Sequence, residues 1–393
     1  MPHVLIVVEN LSVPFDRRVW QEALALRDAG YDVSVISPKG HGRDEESFAV
    51  LEGVRIHRYA LAPARGGPAG YAREYGIAVG RSIQLAMRIH RRRRVDVVHL
   101  CNPPDLLFLV ALPLKLRGAR VVFDQHDLVP ELFESRFGGR GMLWRGTRLL
   151  ERATYGIADM VIATNESYRD VAIGRGRVRP DRVHVVRSAP DLARFTMAEP
   201  DPGLRADKPF LAAYIGVMGP QDGVDYALRA LAHYRNVLGR DDLHAIFMGS
   251  GDAYDDCCAL ATELGIADMV EFPGRVPDDV VRRVLSTADV CLSPDPKNPL
   301  NDVSTMNKVV EYMAMGRPIV SFDLREAAVS ARDAAVYVAG NDELGFAEAI
   351  AGLLDDPRRR ERMGTTGRSR AEGPLSWDVS SRILVDAYRG LTT

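Results

Sequence analysis

The sequence predicts two doubly wound α/β domains in series. Three observations lead there. At 393 residues the chain exceeds one ordinary core. Short β-branched apolar runs alternate with helical patterns, and this happens twice, which is the signature of parallel sheets covered by helices. Between the two series lies RSAPDLARFTMAEPDPGLRADK, rich in Pro, Asp and Ala and without periodicity. The expected division is 1–190 for the first domain, 191–208 for a linker and 209–374 for the second domain, with a tail helix to follow.

Val4–Val8 is a continuous apolar run, as a strand buried on both faces requires. A helix from about Arg17 to Ala29 follows, with Asp16 as N-cap and Gly30 as its stop. Asp32–Ser37 and Val54–Tyr59 read as strands, and Tyr71–Arg94 reads as a long helix. Val95–Leu100, Ala119–Asp124, Met160–Ala163 and Val183–Val186 read as strands, with helices at Leu106–Arg117 and Gly141–Gly156. In such sheets ligands bind beyond the carboxyl ends of the strands, here the loops starting at Glu9, Asn102 and Gln125. The second series has strands at Phe210–Ile215, His244–Met248, Val270–Phe272, Val290–Ser293, Ile319–Phe322 and Val336–Val338. Its helices are expected at Val224–Leu238, 252–264, Pro277–Ala288 and Glu343–Leu354, and a tail helix at about Trp377–Leu391.

A net charge of −2 argues against a general nucleic-acid binder. Cys101, Cys257, Cys258 and Cys291 show no metal-ligand spacing, and no metal site is expected. Adjacent Cys257 and Cys258 are poor disulfide partners for each other, so a reducing, cytoplasmic setting is expected. No signal peptide is expected ahead of Val4, and the apolar run Leu106–Leu114 is too short to span a bilayer.

The richest stretch is NPLNDVSTMNKVVEYMAMGRPIV, residues 298–320. Ser304 and Thr305 are candidate N-caps, Val309, Val310, Met313 and Ala314 make an apolar helix face, and Gly316 and Pro318 end the helix. First-turn amides carry partial positive charge and suit a phosphate. Asn307 and Lys308 open this helix; Lys308 is one of only five lysines, and Glu311 follows on the same face. A cation for phosphate and a carboxylate for sugar hydroxyls would serve a nucleotide, whereas a solvated surface pair is the plainer reading. Gly216–Gly219 and Gly249–Gly251 each follow a strand and precede a helix, the context in which backbone approaches phosphate, although neither completes a dinucleotide fingerprint.

FDRRVWQEALALRDAGYDVSVI, DVVHLCNPPDLL, VVFDQHDL, SAPDLARF, YIGVMGPQDGVDYALRAL, FMGSGD, VEFPGRVPDDVVRRVLSTADVCLSP and EYMAMGRPIV occur in the order and spacing of a known family. The chain resembles the retaining glycosyltransferases of family 4 over almost its whole length, in particular a subset with an STxNKxxEYMAxGxPIV-like pattern. The resemblance implies the GT-B fold: two Rossmann-like domains facing across a cleft, with a C-terminal helix, 375–393, crossing back to the first. It implies that the second domain holds a nucleotide-diphosphate sugar as co-substrate and the first an acceptor hydroxyl on a lipid-linked glycan or small molecule. Glu311 then matches the second glutamate of the E-x7-E motif and contacts the ribose. Gly249 and Gly251 match the glycine turn at the nucleotide, Arg275 and Val276 frame the base, and His126 approaches the donor sugar and diphosphate. Gly216 and Gly219 complete the donor set; Asp16, Arg18, Asn102 and Asp127 are the candidates for the acceptor side or cleft.

The departures are specific. The first glutamate of the motif falls at Val303, so Asp302 is the candidate replacement, with Asn301 as alternative. Val217 and Asp222 stand where the family often places Arg and Lys, leaving Lys308 and Arg18 as replacement cations. The family implies same-face attack, with the leaving phosphate taking the acceptor's proton. His126 has a plainer reading as the cap of a strand end. A nucleotide-sugar epimerase of the same architecture and an inactive nucleotide-sugar-binding partner or sensor are the competing functions. Arg91–Arg94 end an amphipathic helix. They either complete its C-terminus or touch an anionic membrane, which would place the protein at the inner face of the membrane.

Overall fold

The computed structural model describes residues 1–40, 42–62 and 67–392. The chain forms two compact units, Met1–Arg187 with Ser380–Thr393, and Ser188–Val379.

In the first unit the strands are β1 (His3–Val8), β2 (Asp32–Pro38), β3 (Phe48–Leu51), β4 (Val54–Tyr59), β5 (Val97–Cys101), β6 (Arg120–Gln125), β7 (Met160–Ala163) and β8 (Val183–Val185). They lie in the order β3-β4-β2-β1-β5-β6-β7-β8. All pairs are parallel except β3 with β4. Val4, Leu5, Ile6 and Val7 are wholly buried in the centre of this sheet. Each contributes about 1.5–3 kcal/mol by leaving water. Strand order reverses between β1 and β5, so Glu9 and Asn102 follow strands at the switch point where open sheets form a crevice.

The second unit has β9 (Phe210–Ile215), β10 (Leu243–Met248), β11 (Val270–Gly274), β12 (Val290–Ser293), β13 (Ile319–Phe322) and β14 (Ala335–Val338). They are all parallel, in the order β11-β10-β9-β12-β13-β14. The switch point lies between β9 and β12. Gly216 and Pro294 therefore begin the loops that flank it.

Several elements differ from the reading of the sequence. β3 is an additional short antiparallel edge strand whose half-exposed residues alternate only weakly. Helices Val129–Phe137, Glu166–Gly174, Arg325–Ala331 and Pro357–Glu372 are also additional. The last of these is strongly polar, and its glycines look like breakers in one dimension. In the fold they permit close approach: a Cβ on Gly364 would lie 2.2 Å from the carbonyl oxygen of Gly316. Residues 191–208 are no free tether. Phe195 is 1% exposed within the core of the second unit. Asp191 and Asp201 accept bonds from backbone N–H groups of the turns that follow them. The tail helix is Trp377–Thr392. Its Tyr388 is buried in the first unit, and Thr393 lies outside the described residues.

Candidate functional site

In the second unit, three segments meet at the switch point. Gly216 follows β9 at φ +154° and Gly249 follows β10 at φ +151°. A Cβ on Gly249 would stand 1.8 Å from the carbonyl oxygen of Gly216, and one on Gly251 would stand 2.5 Å from that of Met218. The backbones are thus in direct contact, tied by Gly216 N–H to Met248 O and Met218 N–H to Ser250 O, both at 3.1 Å. The third segment is the helix Asn307–Ala314. The Cε of Lys308 lies 3.3 Å from where a Gly216 Cβ would be.

The helix begins one residue later than Thr305 as cap would place it, and two later than Ser304 would. Met306 is the N-cap residue and makes no side-chain capping bond, while the Ser304 hydroxyl donates to Leu300 O at 2.8 Å. Asn307 is exposed at the helix start. Lys308 is no surface cation. It is buried, its Nζ lies 2.5 Å from Asp295 Oδ1, and it stacks 5.2 Å from the centre of the Tyr214 ring. Asp295 also accepts from the Ser293 hydroxyl at 2.8 Å. Much of the positive charge expected for phosphate is therefore balanced inside the protein.

Glu311 is half-buried, one turn along. Burial pushes its carboxyl up to about 7, against the pull of Arg194 and Lys308. Arg194 itself forms a two-pronged pair with Asp278, Nε to Oδ2 at 2.6 Å. Arg275 is exposed and Val276 packs on the second unit's core. Gly219 N–H donates to Asp222 Oδ2 at 3.0 Å. Val217 is 61% exposed.

Asp302 does not join this group through the bonds it makes. Its Oδ1 accepts from the N–H of Arg325 at 3.1 Å, at the start of helix Arg325–Ala331, and Lys297 Nζ lies 3.5 Å away. Asn301 is buried and donates to the carbonyl oxygens of Gln221 and Pro296, each at 2.9 Å. Both candidates for the missing glutamate hold the loop together, because a loop without strand neighbours must satisfy its backbone through side chains.

In the first unit, His126 belongs to a buried polar cluster. Its Nε2 is 2.5 Å from Asp124 Oδ2. Arg18 grips Asp124 with Nη2 to Oδ1 at 2.8 Å, reaches Glu22 at 3.0 Å and donates to Val186 O at 2.9 Å. Burial opposes ionising Asp124, but Arg18 and then His126 outweigh it and hold its carboxyl well below the usual range. Burial and the neighbouring Asp124 charge push Glu22 well above its usual value, against the pull of Arg18. His99 lies 3.4 Å from Asp124, and its Nδ1 is 2.6 Å from the Tyr388 hydroxyl. Arg18 is thus engaged inside the first unit.

Asn102 is buried and braces the same loop. Its Oδ1 accepts from the N–H of His126 at 2.7 Å and of Asp127 at 3.2 Å, and its Nδ2 donates to Asp105 at 2.9 Å. Burial raises Asp105 to about 8 and raises Asp127 as well. Asp16 caps helix Arg17–Asp28, accepting from Val19 N–H at 3.1 Å.

Ligand atoms of Glu22, Cys101, Asp124 and His126 lie within 4.8 Å of one another, a grouping that cysteine spacing does not reveal. These residues do not suit a metal. Arg18 already pairs with both carboxylates, and burial pushes the Cys101 thiol well up. Asp124, His99, Glu22, Tyr388 and Asp295 all escaped the sequence reading. The available signal was position: Asp124 sits two residues before His126 at a strand end, and Asp295 follows the strand beside β9.

No helix among the described residues is long and apolar enough to cross a membrane. Of Arg91–Arg94, Arg93 pairs with Asp32 and Arg94 with Asp96, while Arg91 and Arg92 are exposed.

Residues 16–194 match the family model described as Glycosyltransferase Family 4, and residues 209–356 match the one described as Glycosyl transferases group 1. A D-inositol 3-phosphate glycosyltransferase of Thermomonospora curvata is 30% identical over 260 residues, which is 61% of this chain and 58% of that protein. The match therefore spans less than two thirds of that relative. Among solved structures, the sucrose-phosphate synthase of Thermosynechococcus elongatus superposes with a TM-score of 0.82 at 18% identity, covering 100% of this chain and 99% of that one. HepE of Anabaena in complex with UDP-glucose gives 0.74 at 15% identity, covering 99% and 100%. These likenesses show the GT-B fold. Residues 16–194 are a Glycosyltransferase Family 4 domain and residues 209–356 a glycosyl transferases group 1 domain.

Proposed function

We propose that the protein moves a sugar from a nucleotide-diphosphate sugar to an acceptor hydroxyl, with retention of anomeric configuration and the nucleotide sugar as its only co-substrate. One observation carries this reading: the Gly216 turn, the Gly249–Gly251 turn and the start of helix Asn307–Ala314 converge at the switch point of the second sheet. Breaking the anomeric bond builds charge on the leaving diphosphate, and backbone amides aimed at that charge stabilise it. Asn307 and the amides beside it take this role. Lys308, neutralised by Asp295, shapes the wall next to Gly216. Glu311 meets the ribose hydroxyls, and Arg275 and Val276 flank the base. Asp302 has no part in catalysis in this reading.

The first domain takes the acceptor, with His126 and Asp127 on the loop held by Asn102. His126 Nε2 is committed to Asp124, which leaves Nδ1 for substrate. Contact with an anionic membrane, if the acceptor is lipid-linked, rests on Arg91 and Arg92.

A thermal-shift panel of uridine, guanosine and thymidine diphosphates tests the reading, because a ligand of the folded form raises its melting point. One of them should stabilise the protein, and Glu311→Ala should weaken it by about 1.5–3 kcal/mol, the worth of a hydrogen bond to a charged group. The reading fails if none shifts the melting point or if Glu311→Ala leaves the shift unchanged.

A second reading, nucleotide-sugar binding without turnover, draws on one bond. The Asp222 carboxylate already occupies the N–H of Gly219, in a turn where phosphate would need donors. Tight binding of a nucleotide sugar with no product from any acceptor would favour it.

A further inference from the structure

A groove of about 510 Å3 in the first unit shares no residue with either neighbourhood described above. It is flanked by helix Gly67–Arg92 and by the sheet edge made of β3 and β4, and among the described residues no carboxylate lines it. Arg81, Arg88 and Arg92 contribute from the helix and Lys39 from the end of β2. The spacings 81, 85, 88 and 92 follow the helical repeat, so the arginines and Leu85 form one stripe along the groove.

Two cations of β4 are compensated. Arg55 pairs with Asp32 at 2.5 Å and Arg58 with Asp44 at 3.1 Å. Among the described residues, Lys39, Arg81, Arg88 and Arg92 make no side-chain hydrogen bond or ion pair. Their field is felt locally. His57, another lining residue, is pushed down to about 4 by burial first and then by Arg55, Arg92, His3 and Arg88. Phe48, 49% exposed, lies 4.9 Å from the His57 ring and adds an apolar wall.

A recess with uncompensated guanidinium groups and no carboxylate selects anions, and arginine's planar fork suits phosphate oxygens in particular. We propose that this groove binds a ligand carrying a phosphate or diphosphate group, by a site independent of the nucleotide-binding segments of the second unit. The phosphate is carried either by a soluble ester or by a lipid headgroup. The proposal does not depend on transfer activity.

The test uses the full chain and an Arg81→Glu/Arg88→Glu variant, both positions being exposed. In one arm inorganic pyrophosphate is titrated by calorimetry. In the other the protein is sedimented with phosphatidylglycerol or phosphatidylcholine vesicles. Binding to wild type in at least one arm, weakened about tenfold or more by charge reversal and by added salt, is expected. Pyrophosphate binding alone assigns a soluble ester; phosphatidylglycerol-selective sedimentation assigns a lipid headgroup. The variant should keep its melting point and its thermal shift with nucleoside diphosphate, which separates failure here from failure of the nucleotide reading. Binding in neither arm, or equal binding by wild type and variant, overturns the proposal.

Discussion

The two switch-point neighbourhoods are made of different materials. The one in the second unit is backbone. Gly216, Gly249 and Gly251 press main chain against main chain, and a helix start adjoins them. The one in the first unit is side chain, with Arg18, Glu22, His99, Asp124 and His126 sharing charge in a buried cluster to which Tyr388 adds a hydroxyl. A backbone cradle suits a group of invariant shape, such as a diphosphate, and tolerates no added atom. A buried charge cluster holds a ring such as His126 in one orientation but depends on every member.

Removing one charge from that cluster should have the largest effect. Asp124→Ala leaves Arg18 buried without its main partner and should cost about 3–5 kcal/mol in denaturant melts. A loss below about 1 kcal/mol would mean that Glu22 ionises and takes over. Gly249→Ala attacks the other material. It forces a Cβ into the Gly216 carbonyl and should cost about 3 kcal/mol and abolish the nucleotide thermal shift. Retained nucleotide binding would show that the glycine turns are structural only. Tyr388→Phe removes the hydroxyl facing His99 and should cost about 1–3 kcal/mol while leaving nucleotide binding intact.

Glu311 offers a pH test of the second unit. Its carboxyl is raised from 4.5 to about 7, so the folded state holds a proton that the unfolded state has lost. Stability from this group is present below pH about 4.5 and falls as pH rises toward about 7. Wild type should therefore lose stability relative to Glu311→Gln across that window, on the order of 1 kcal/mol, since the side chain is partly solvated. A pH-independent difference would mean that Glu311 is ionised throughout. The smallest effect is a control: Gly80, in helix Gly67–Arg92, has nothing within 4 Å of an added Cβ. Gly80→Ala should stabilise by about 0.5–1 kcal/mol in the same melts, setting the scale for glycines that no contact requires.

The central strands were legible because burial on both faces leaves unbroken apolar runs such as Val4–Val8. The glycine turns and the helix at Asn307 were legible because turn chemistry is local. Helix Pro357–Glu372 was not, since its polar stripe and glycines make sense only against Gly316. Lys308 was misjudged for a related reason. Spacing along one helix paired it with Glu311, while its partner, Asp295, lies on a loop after another strand.

Local pattern by itself determined where the central strands and the glycine turns fall, and with them the two doubly wound sheets. Only the tertiary structure decided which charges are spent on one another, because ion pairs such as Arg18 with Asp124 and Lys308 with Asp295 join residues that chain order keeps apart. Coulomb energy depends on distance and burial in space, and neither is written in the interval between two letters.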